Sequence, residues 1–509
     1  MREEKSRLEK VTSVIVYIIQ AIATILFVFV LFYIGSIPKE YIYIVAAVLT
    51  GLFIGEYFLI FYKKPGSKRS LITKMLGMIL SFVLVLGSYY VYQVGKVVDL
   101  MSENTFQSRA ISVIVLQDSG IYNEKFLSDK NIGLISFIDE ESMNYVVTDI
   151  NKNIGKISEH DYDDFTKLLD ALYSKEVDAI ILDEAFRELA ATDYDAFDDE
   201  TRVVYQITKE ESSVGAKNVD VTQKPFLVYI SGNDEYGELS AISRSDVNML
   251  VAVNPTTHQV LLVSIPRDTY YPLNRNGQYD KFTHAGVYGL DESVATLENM
   301  LDEEINYYVK MNFTSFMNII DAIGGITIDV PVYSTLYSDD GSFTTKIKNP
   351  DTKEGYTIYP GINEFDAHEA LAFVRERKSF VAGEFVRGQN QQLMISAVLN
   401  KVCSPAILTS FSDVLAAVSS SIETNMSSEE INALIQLQLS HMPSWEIHSY
   451  QIEGTTGKQP CYSLGNRLAS VVIPYQSAIH EATENINKII DGELLETETQ
   501  DLNQTGSEE

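Results

Sequence analysis

Cysteine is nearly missing from this chain: two in 509 residues, Cys403 and Cys461. They form no CxxC motif and no Cys/His cluster, so a zinc finger or ribbon is excluded on ligand spacing. Both fall in the part read below as exported, where one disulfide is allowed; the sequence leaves open a bridge or two buried thiols. Positive charge is scarce as well. The 39 Lys and Arg stand against 70 Asp and Glu, for a formal net charge of −31. That imbalance is uneven, because residues 1–95 hold ten basic and five acidic side chains and the acidic excess follows them. An acidic bulk excludes non-specific nucleic-acid binding, which needs a positive surface.

The basic excess lies where the chain is most apolar. Runs at 11–34, 41–62 and 71–95 reach the roughly 20 apolar residues that a bilayer-crossing helix requires. Thr73 and Lys74 put the start of the third near Met75. Three such runs read as retained anchors, since a cleaved signal peptide has one shorter apolar core. Arg2, Lys5, Arg7 and Lys10 precede the first run, and Lys63, Lys64, Lys68 and Arg69 lie between the second and third. The loop at 35–40 has a single Lys. The positive-inside rule then expects a cytoplasmic N-terminus, with everything after about Lys96 outside.

The exported part divides by pattern. After a linker, β-branched runs at 111–116, 132–137 and 177–182 alternate with helix-like spacing at 140–151 and 162–173, which predicts an open α/β unit with parallel pairing. The stretch "FTKLLDALYSKEVDAIILDEAF" resembles part of a solute-binding-protein lobe, yet it shows no identifiable ligand residue, and a structural or partner-docking role is favoured. The polar stretch 209–222 reads as a boundary. Beyond it a helix is expected at 313–322, stopped by Gly324 and Gly325, then a strand at "ITIDVP". Residues 337–356 read as an exposed, turn-rich excursion. The expected division is an anchor at 1–96, an accessory α/β domain at 97–222, a larger α/β domain at 223–480 and an acidic, disordered tail at 481–509.

Chemistry concentrates in the larger domain. "RSDVNMLVAVNPTTHQVLLVSIPRD" reads as two apolar strands joined by a turn containing Asn254 and Pro255. With the turn centred between Thr256 and Thr257, 253 faces 260, 249 faces 264 and Asp246 faces Arg267. "RSD" and "PRD" therefore meet at the open end of one hairpin. An exposed Asp246–Arg267 pair is worth only about 0–1 kcal/mol and leaves Arg244 and Asp268 unexplained. "AHEALAFVRERKSF" is helix-like through Phe373, with Arg375 and Arg377 at its end. The next helix, from about 384 to 403, carries an apolar stripe at Ile395, Val398 and Val402. Extended backward, that stripe meets Gln391 and Arg387, polar groups on an inward line that suits a cleft floor.

"RSD", "SIPRDTYYPL", "KFTHAG", "DAIGGITIDVPV", "FDAHEALAFVRER" and "RGQNQQ" occur in order over roughly 226–405, and together they resemble the LytR–CpsA–Psr family. The three-span anchor with an extra exported unit is similar to its CpsA branch. The resemblance implies an α/β domain around a central mixed sheet, at the cell membrane of a Gram-positive-type envelope. It implies a transferase, of phosphotransferase or glycosyltransferase type, that moves capsular polysaccharide or a related glycopolymer from a polyprenyl-pyrophosphate carrier to peptidoglycan, with magnesium or manganese. On that resemblance Arg244, Arg267, Lys281, Arg375, Arg377, Arg387 and Gln391 hold the pyrophosphate, and Asp234 and Asp246 hold the metal. Arg267, Asp246 and Asp268 serve catalysis, with Asp268 or a metal-bound Asp helping to deprotonate an acceptor hydroxyl.

The residue types suit these roles. Arginine forks match phosphate oxygens bidentately, and Mg²⁺ takes one or two carboxylates plus substrate oxygens. Two positions depart from the family pattern: Glu384 where many members have Asp, and Asn390 where many have a second Arg. Residues between 287 and 320 could line a slot for the polyprenyl tail, and equally make core. Capsule-export or kinase partners for the accessory domain are further expectations. The alternatives are a lipid-pyrophosphate hydrolase and a non-catalytic regulator or scaffold of capsule assembly. A DNA-binding role is excluded, because the short cytoplasmic segments leave no room for such a domain.

Overall fold

Three apolar helices open the chain: α1 (Arg2–Ile34), α2 (Lys39–Phe61) and α3 (Lys68–Met101). Their segments Glu9–Ile34, Lys39–Phe61 and Lys68–Gln93 are long and apolar enough to cross a membrane. The computed structural model describes residues 2–35, 37–61, 68–101, 106–135, 139–233, 239–333, 336, 341–465 and 467–495. α3 begins earlier than Thr73 and Lys74 led the sequence reading to expect. Thr73 Oγ1 donates to Arg69 O within its own helix (2.9 Å), and Lys74 Nζ donates to Glu9 O of α1 (3.2 Å). Both polar groups find partners, so neither ends the helix.

The first sheet has the order β3-β2-β4-β1-β5, built from β1 (Phe106–Leu116), β2 (Asn131–Leu134), β3 (Ser158–Asp161), β4 (Ala179–Asp183) and β5 (Thr201–Ser212). Alternation along β1 sends Ile111, Val113 and Val115 toward α4 (Glu140–Asn153), and Ile114 and Leu116 toward α5 (Phe165–Tyr173). Two short helices, α6 (Arg187–Asp193) and α7 (Phe197–Glu200), lead into β5. The expected parallel pairing holds only in part. β2 is parallel to β3 and β4, but β1 is antiparallel to both β4 and β5. The polar stretch read as a boundary from 209 still belongs to β5, whose residues Lys209 to Ser212 pair with Arg109 to Phe106. Its alternation of half-buried and exposed polar residues suits an edge strand.

The second sheet is mixed, with order β16-β11-β6-β7-β8-β17. Its strands are β6 (Phe226–Gly232), β7 (Val247–Asn254), β8 (Gln259–Ser264), β11 (Tyr307–Met311), β16 (Glu423–Thr424) and β17 (Glu446–Gln451). One face, with Leu227, Tyr229, Leu250 and Val263, packs on α9 (Leu290–Leu301) and α15 (Gln476–Asp491). The other, with Met249, Val251 and Leu262, packs on Ile395 and Leu399 of α12 (Gly383–Val402). Paired ribbons surround it: β9 (Tyr270–Pro272) with β10 (Tyr279–Lys281), β12 (Ile326–Val330) with β15 (Gly361–Phe365), β13 (Phe343–Lys348) with β14 (Gly355–Ile358), and β18 (Gly454–Cys461) with β19 (Arg467–Pro474). The remaining helices are α8 (Phe282–Ala285), α10 (Phe313–Ala322), α11 (Ala367–Arg375), α13 (Phe411–Ser421) and α14 (Ser428–His441).

Two further expectations change. Part of the supposed exposed excursion is the β13–β14 hairpin, whose Phe343 and Ile358 join one core with Phe373; residues 337–340 lie outside the described residues. The tail does not begin at 481. α15 buries Ile479, Ala482, Ile486 and Ile489 on one face, so it belongs to the second sheet's core through Asp491. Residues 496–509 lie outside the described residues. Cys403 and Cys461 are both free thiols.

Candidate functional site

β6, β8, β11 and β17 run one way and β7 the other. The carboxyl ends of four strands therefore meet the start of β7 at one edge, the edge where α/β sheets place their ligands. The hairpin register agrees with expectation, with Val253 opposite Val260 and Met249 opposite Ser264. Beyond its open end Arg267 Nη1 lies 2.5 Å from Asp246 Oδ1, with side-chain exposures of 17% and 8%. This is no solvated strand end. Arg267 Nε is buried and has no hydrogen-bond partner among the described residues. Asp246 N donates to Gly232 O (2.7 Å), which sets Asp246 beside Asn233; the Asn233 Oδ1 is likewise buried and unpartnered among the described residues. Asp234, expected as a metal ligand, lies outside the described residues.

β10 delivers Lys281, whose Nζ lies 2.9 Å from Asp268 Oδ1. Burial raises the Asp268 pKa, but Lys281 and Arg267 outweigh it and hold the carboxyl below the usual range. An ionised carboxylate so held is a poor proton acceptor and a good anchor for Lys281.

α11 starts at a capping box between Asp366 and Glu369 and ends at Arg375. That stop separates the two arginines. Arg377 turns toward α12, where Glu384 takes Arg377 on one oxygen and Arg387 on the other, each at 2.5 Å. Glu384, a departure from the family pattern, thus ties two arginines of the cluster together. Arg375 lies 4.0 Å over the ring of Phe313.

The inward line of α12 runs through Val386, Arg387, Asn390 and Met394. Gln391 is only half-buried, and its Nε2 donates to Val374 O (3.4 Å). The expected single stripe fails because the helix is wedged between two cores. Ile395 faces the sheet, while Val398 and Val402 face the core of α10 and α11. Asn390 is a packing residue: it donates to Phe373 O (3.2 Å) and accepts from Tyr333. Sequence reasoning missed Gln392, which donates to Leu262 O (3.1 Å) and Tyr450 O (2.6 Å) and pins α12 to the sheet. Its only signal is the doubled glutamine in "RGQNQQ". Gly388 permits that approach, since a Cβ there would sit 2.7 Å from Gln451 Nε2 and 3.0 Å from Ser264 Oγ.

Burial lowers the pKa of Arg244 and of Arg387; Asp246 and Glu384 offset this only in part, and Arg267 repels both. Arg267 itself is raised, because Asp246, Asp268 and Glu384 outweigh its burial. The site gathers cations faster than carboxylates and is short of negative charge. Arginine forks in a partly dry cleft supply that shortage from a phosphate-bearing ligand.

Fold and site together define a membrane-anchored α/β protein with a basic clamp at the carboxyl edge of its sheet. Residues 192–488, more than half of the chain, match the LytR_cpsA_psr family, and the chain belongs to it. It is 34% identical over 242 residues to the polyisoprenyl-teichoic acid–peptidoglycan teichoic acid transferase TagU of Bacillus cereus, covering 47% of this chain and 73% of the relative. It is 32% identical over 250 residues to the corresponding transferase TagT of Bacillus subtilis (strain 168), covering 48% and 74%. The crystal structure of B. subtilis TagV aligns with a TM-score of 0.43 at 26% identity, over 53% of this chain and 98% of that one.

Proposed function

We infer that this protein is a membrane-anchored transferase that moves a glycopolymer from a polyprenyl-pyrophosphate carrier to peptidoglycan. The observation that carries the reading is the basic cluster itself: Arg387 is buried and Arg244 and Arg267 are half-buried, Arg267 repels both of the others, and the neighbouring carboxylates offset the burial and repulsion at Arg244 and Arg387 only in part. A bound pyrophosphate relieves that repulsion. It also gains most as charge moves onto the departing carrier phosphate, so the clamp favours the transition state. The acceptor hydroxyl attacks either the sugar-bearing phosphorus or the anomeric carbon, and its proton passes to the departing carrier phosphate. The bond to the carrier breaks, and polyprenyl phosphate or pyrophosphate leaves with the electron pair.

The polymer assigned here is a capsular polysaccharide or a related glycan, on the likeness to the branch with three spans. The N-terminus is assigned to the cytoplasm and the large C-terminal region to the outside. Basic residues flanking the spans support this, as does Tyr41, which follows the α1–α2 connection and donates to Leu439 O of α14 (3.3 Å). Capsule-export or kinase partners on the first sheet belong to the same proposal.

Magnesium or manganese also belongs to it. Asp246 and the unpartnered Asn233 Oδ1 bring oxygen donors to one edge, next to Asp234 in the sequence. Among the described residues no group of three or more His, Cys, Asp or Glu side chains forms a cage. Asp246 and Asp234 with phosphate oxygens are the donor set that suits a hard divalent ion, which would polarise those oxygens.

The test is a transfer assay with full-length protein in nanodiscs, a lipid-linked glycan and peptidoglycan oligosaccharides. Glycan joined to the oligosaccharide is expected, with a loss of about 10²–10³-fold in Arg267→Ala. Free glycan in place of joined product means hydrolysis, and full transfer by Arg267→Ala defeats the site assignment.

A further inference from the structure

Three consecutive residues of β1, while still paired with β5, also bond to the segment between β6 and β7 that carries Arg244 and to the backbone around the start of α9. Ser108 N donates to Ser240 O (2.8 Å) and Ser108 O accepts from Ile242 N (3.0 Å), a parallel bridge centred on Ala241. Ala241 O also takes the Lys310 ammonium at 2.7 Å. Gln107 Oε1 accepts from Leu290 N at the start of α9 (3.0 Å). Arg109 Nη1 and Nη2 donate to the carbonyls of Val287 (3.3 Å) and Tyr288 (3.1 Å).

The residue before Val287 explains why that grip matters. Gly286 lies against the "SRS" backbone: a Cβ there would stand 2.7 Å from Ser243 O, 2.9 Å from Ser245 N and 3.3 Å from Arg244 C. Thr283 O accepts from Ser245 N (3.3 Å) on the same turn. The backbone of Arg244 is thus held upstream by Ser108 and from beneath by a turn that Arg109 holds in its turn.

Ordinary adhesion between the sheets does not need this arrangement. Phe186 and Leu189 of the first sheet's helical cover already share a core with Ile242, Ala285 and Val287. Arg109 is 3% exposed, and burying a guanidinium is costly unless it is fully paired. Asp183 and Glu211 pair with it from its own sheet, and they outweigh burial to raise its pKa. Such a group is expensive as glue and well suited to fixing a register.

We propose that Arg109 is a positioning residue for the transfer reaction, setting the Arg244 backbone through the carbonyls of Val287 and Tyr288 and the turn at Gly286. The proposal rests on the reading of the clamp as a pyrophosphate site. It gives the first sheet a task in donor binding that neither the clamp nor the anchor performs.

The test uses the full chain in the same transfer assay, with donor and acceptor varied separately and inorganic pyrophosphate as a binding probe. Arg109→Met is expected to raise the donor KM about tenfold while leaving the acceptor KM unchanged, the scale that a small misplacement of a binding group produces. Arg109→Lys, which keeps the charge beside Asp183 and loses the fork, recovers part of the effect. Gly286→Ala, which pushes the same contact from the other side, reproduces it. In an Arg244→Ala background Arg109→Met adds nothing further. Equal losses in both backgrounds, or donor and acceptor KM rising together, overturn the proposal while leaving the site reading intact. A wild-type chain that binds no pyrophosphate overturns the site reading itself, and this proposal with it.

Discussion

Glu384→Gln separates stability from affinity at the clamp. The substitution keeps shape and removes the charge shared by Arg377 and Arg387. Breaking a fully buried ion pair costs about 3–5 kcal/mol. Arg377 is 39% exposed and recovers most of its share from water, whereas Arg387 at 11% cannot. The pKa of Arg387 is lowered even with Glu384 present. A loss of about 1–2 kcal/mol is therefore expected, discounted for the exposed partner. For a domain of this size that is a melting temperature lower by about 3–6 °C. Inorganic pyrophosphate should close the gap, because it replaces the missing charge and stabilises the variant more than the wild type. Thermal melts of both proteins across a pyrophosphate titration read this directly. Equal melting temperatures without ligand, or equal ligand shifts, refute the claim that Glu384 compensates an anion site.

The Asp268–Lys281 pair carries an acid-side signature. The folded pKa of Asp268 is depressed, so its contribution is complete above the unfolded value near 3.9 and is lost as pH falls through the folded one. Lys281→Met should lower stability at neutral pH and flatten the melting-temperature profile below about pH 4. Asn390→Ala leaves the Tyr333 hydroxyl and Phe373 carbonyl without their partner, and it should cost about 1–3 kcal/mol in urea unfolding with little change in pyrophosphate affinity. Burial pushes the Cys461 thiol up to about 12, so iodoacetamide should modify Cys461 only after denaturation, as read by mass spectrometry.

Legibility in the sequence followed the range of the interactions. The β7–β8 hairpin was readable because strict alternation and one turn fix both register and end, and that placed Asp246 against Arg267 without any tertiary knowledge. α10 and its glycine stop were equally local. The contacts of Gln392, Glu384 and Asn390 escaped, although the last two stood out as departures from the family pattern, because their partners lie on other elements: the sheet, a neighbouring helix end and Tyr333. The single apolar stripe assigned to α12 failed for the same reason, since a helix between two cores has two faces to bury. Arg375 and Arg377 could not be told apart beforehand, because the residue at which α11 ends decides which one turns to Glu384. β3 and the second half of β5 are strands of polar residues, carried by backbone pairing with their neighbours rather than by burial.

The chain leaves α3 at Met101 and enters β1 at Phe106. That interval spans at most about 18 Å when fully extended, and the residues bonded to the segment that carries Arg244 follow at once. On the proposed topology the clamp works on a short leash at a fixed height above the bilayer, which is also where a carrier with a membrane-buried tail presents its phosphates. Donor and enzyme are both confined to that layer, so the acceptor has to come to them. Glycan strands lying next to the membrane can be decorated; strands already displaced outward in the wall are beyond reach. The geography of polymer attachment would then be recorded in the wall itself, as an inner layer modified during growth and carried outward with its polymer in place.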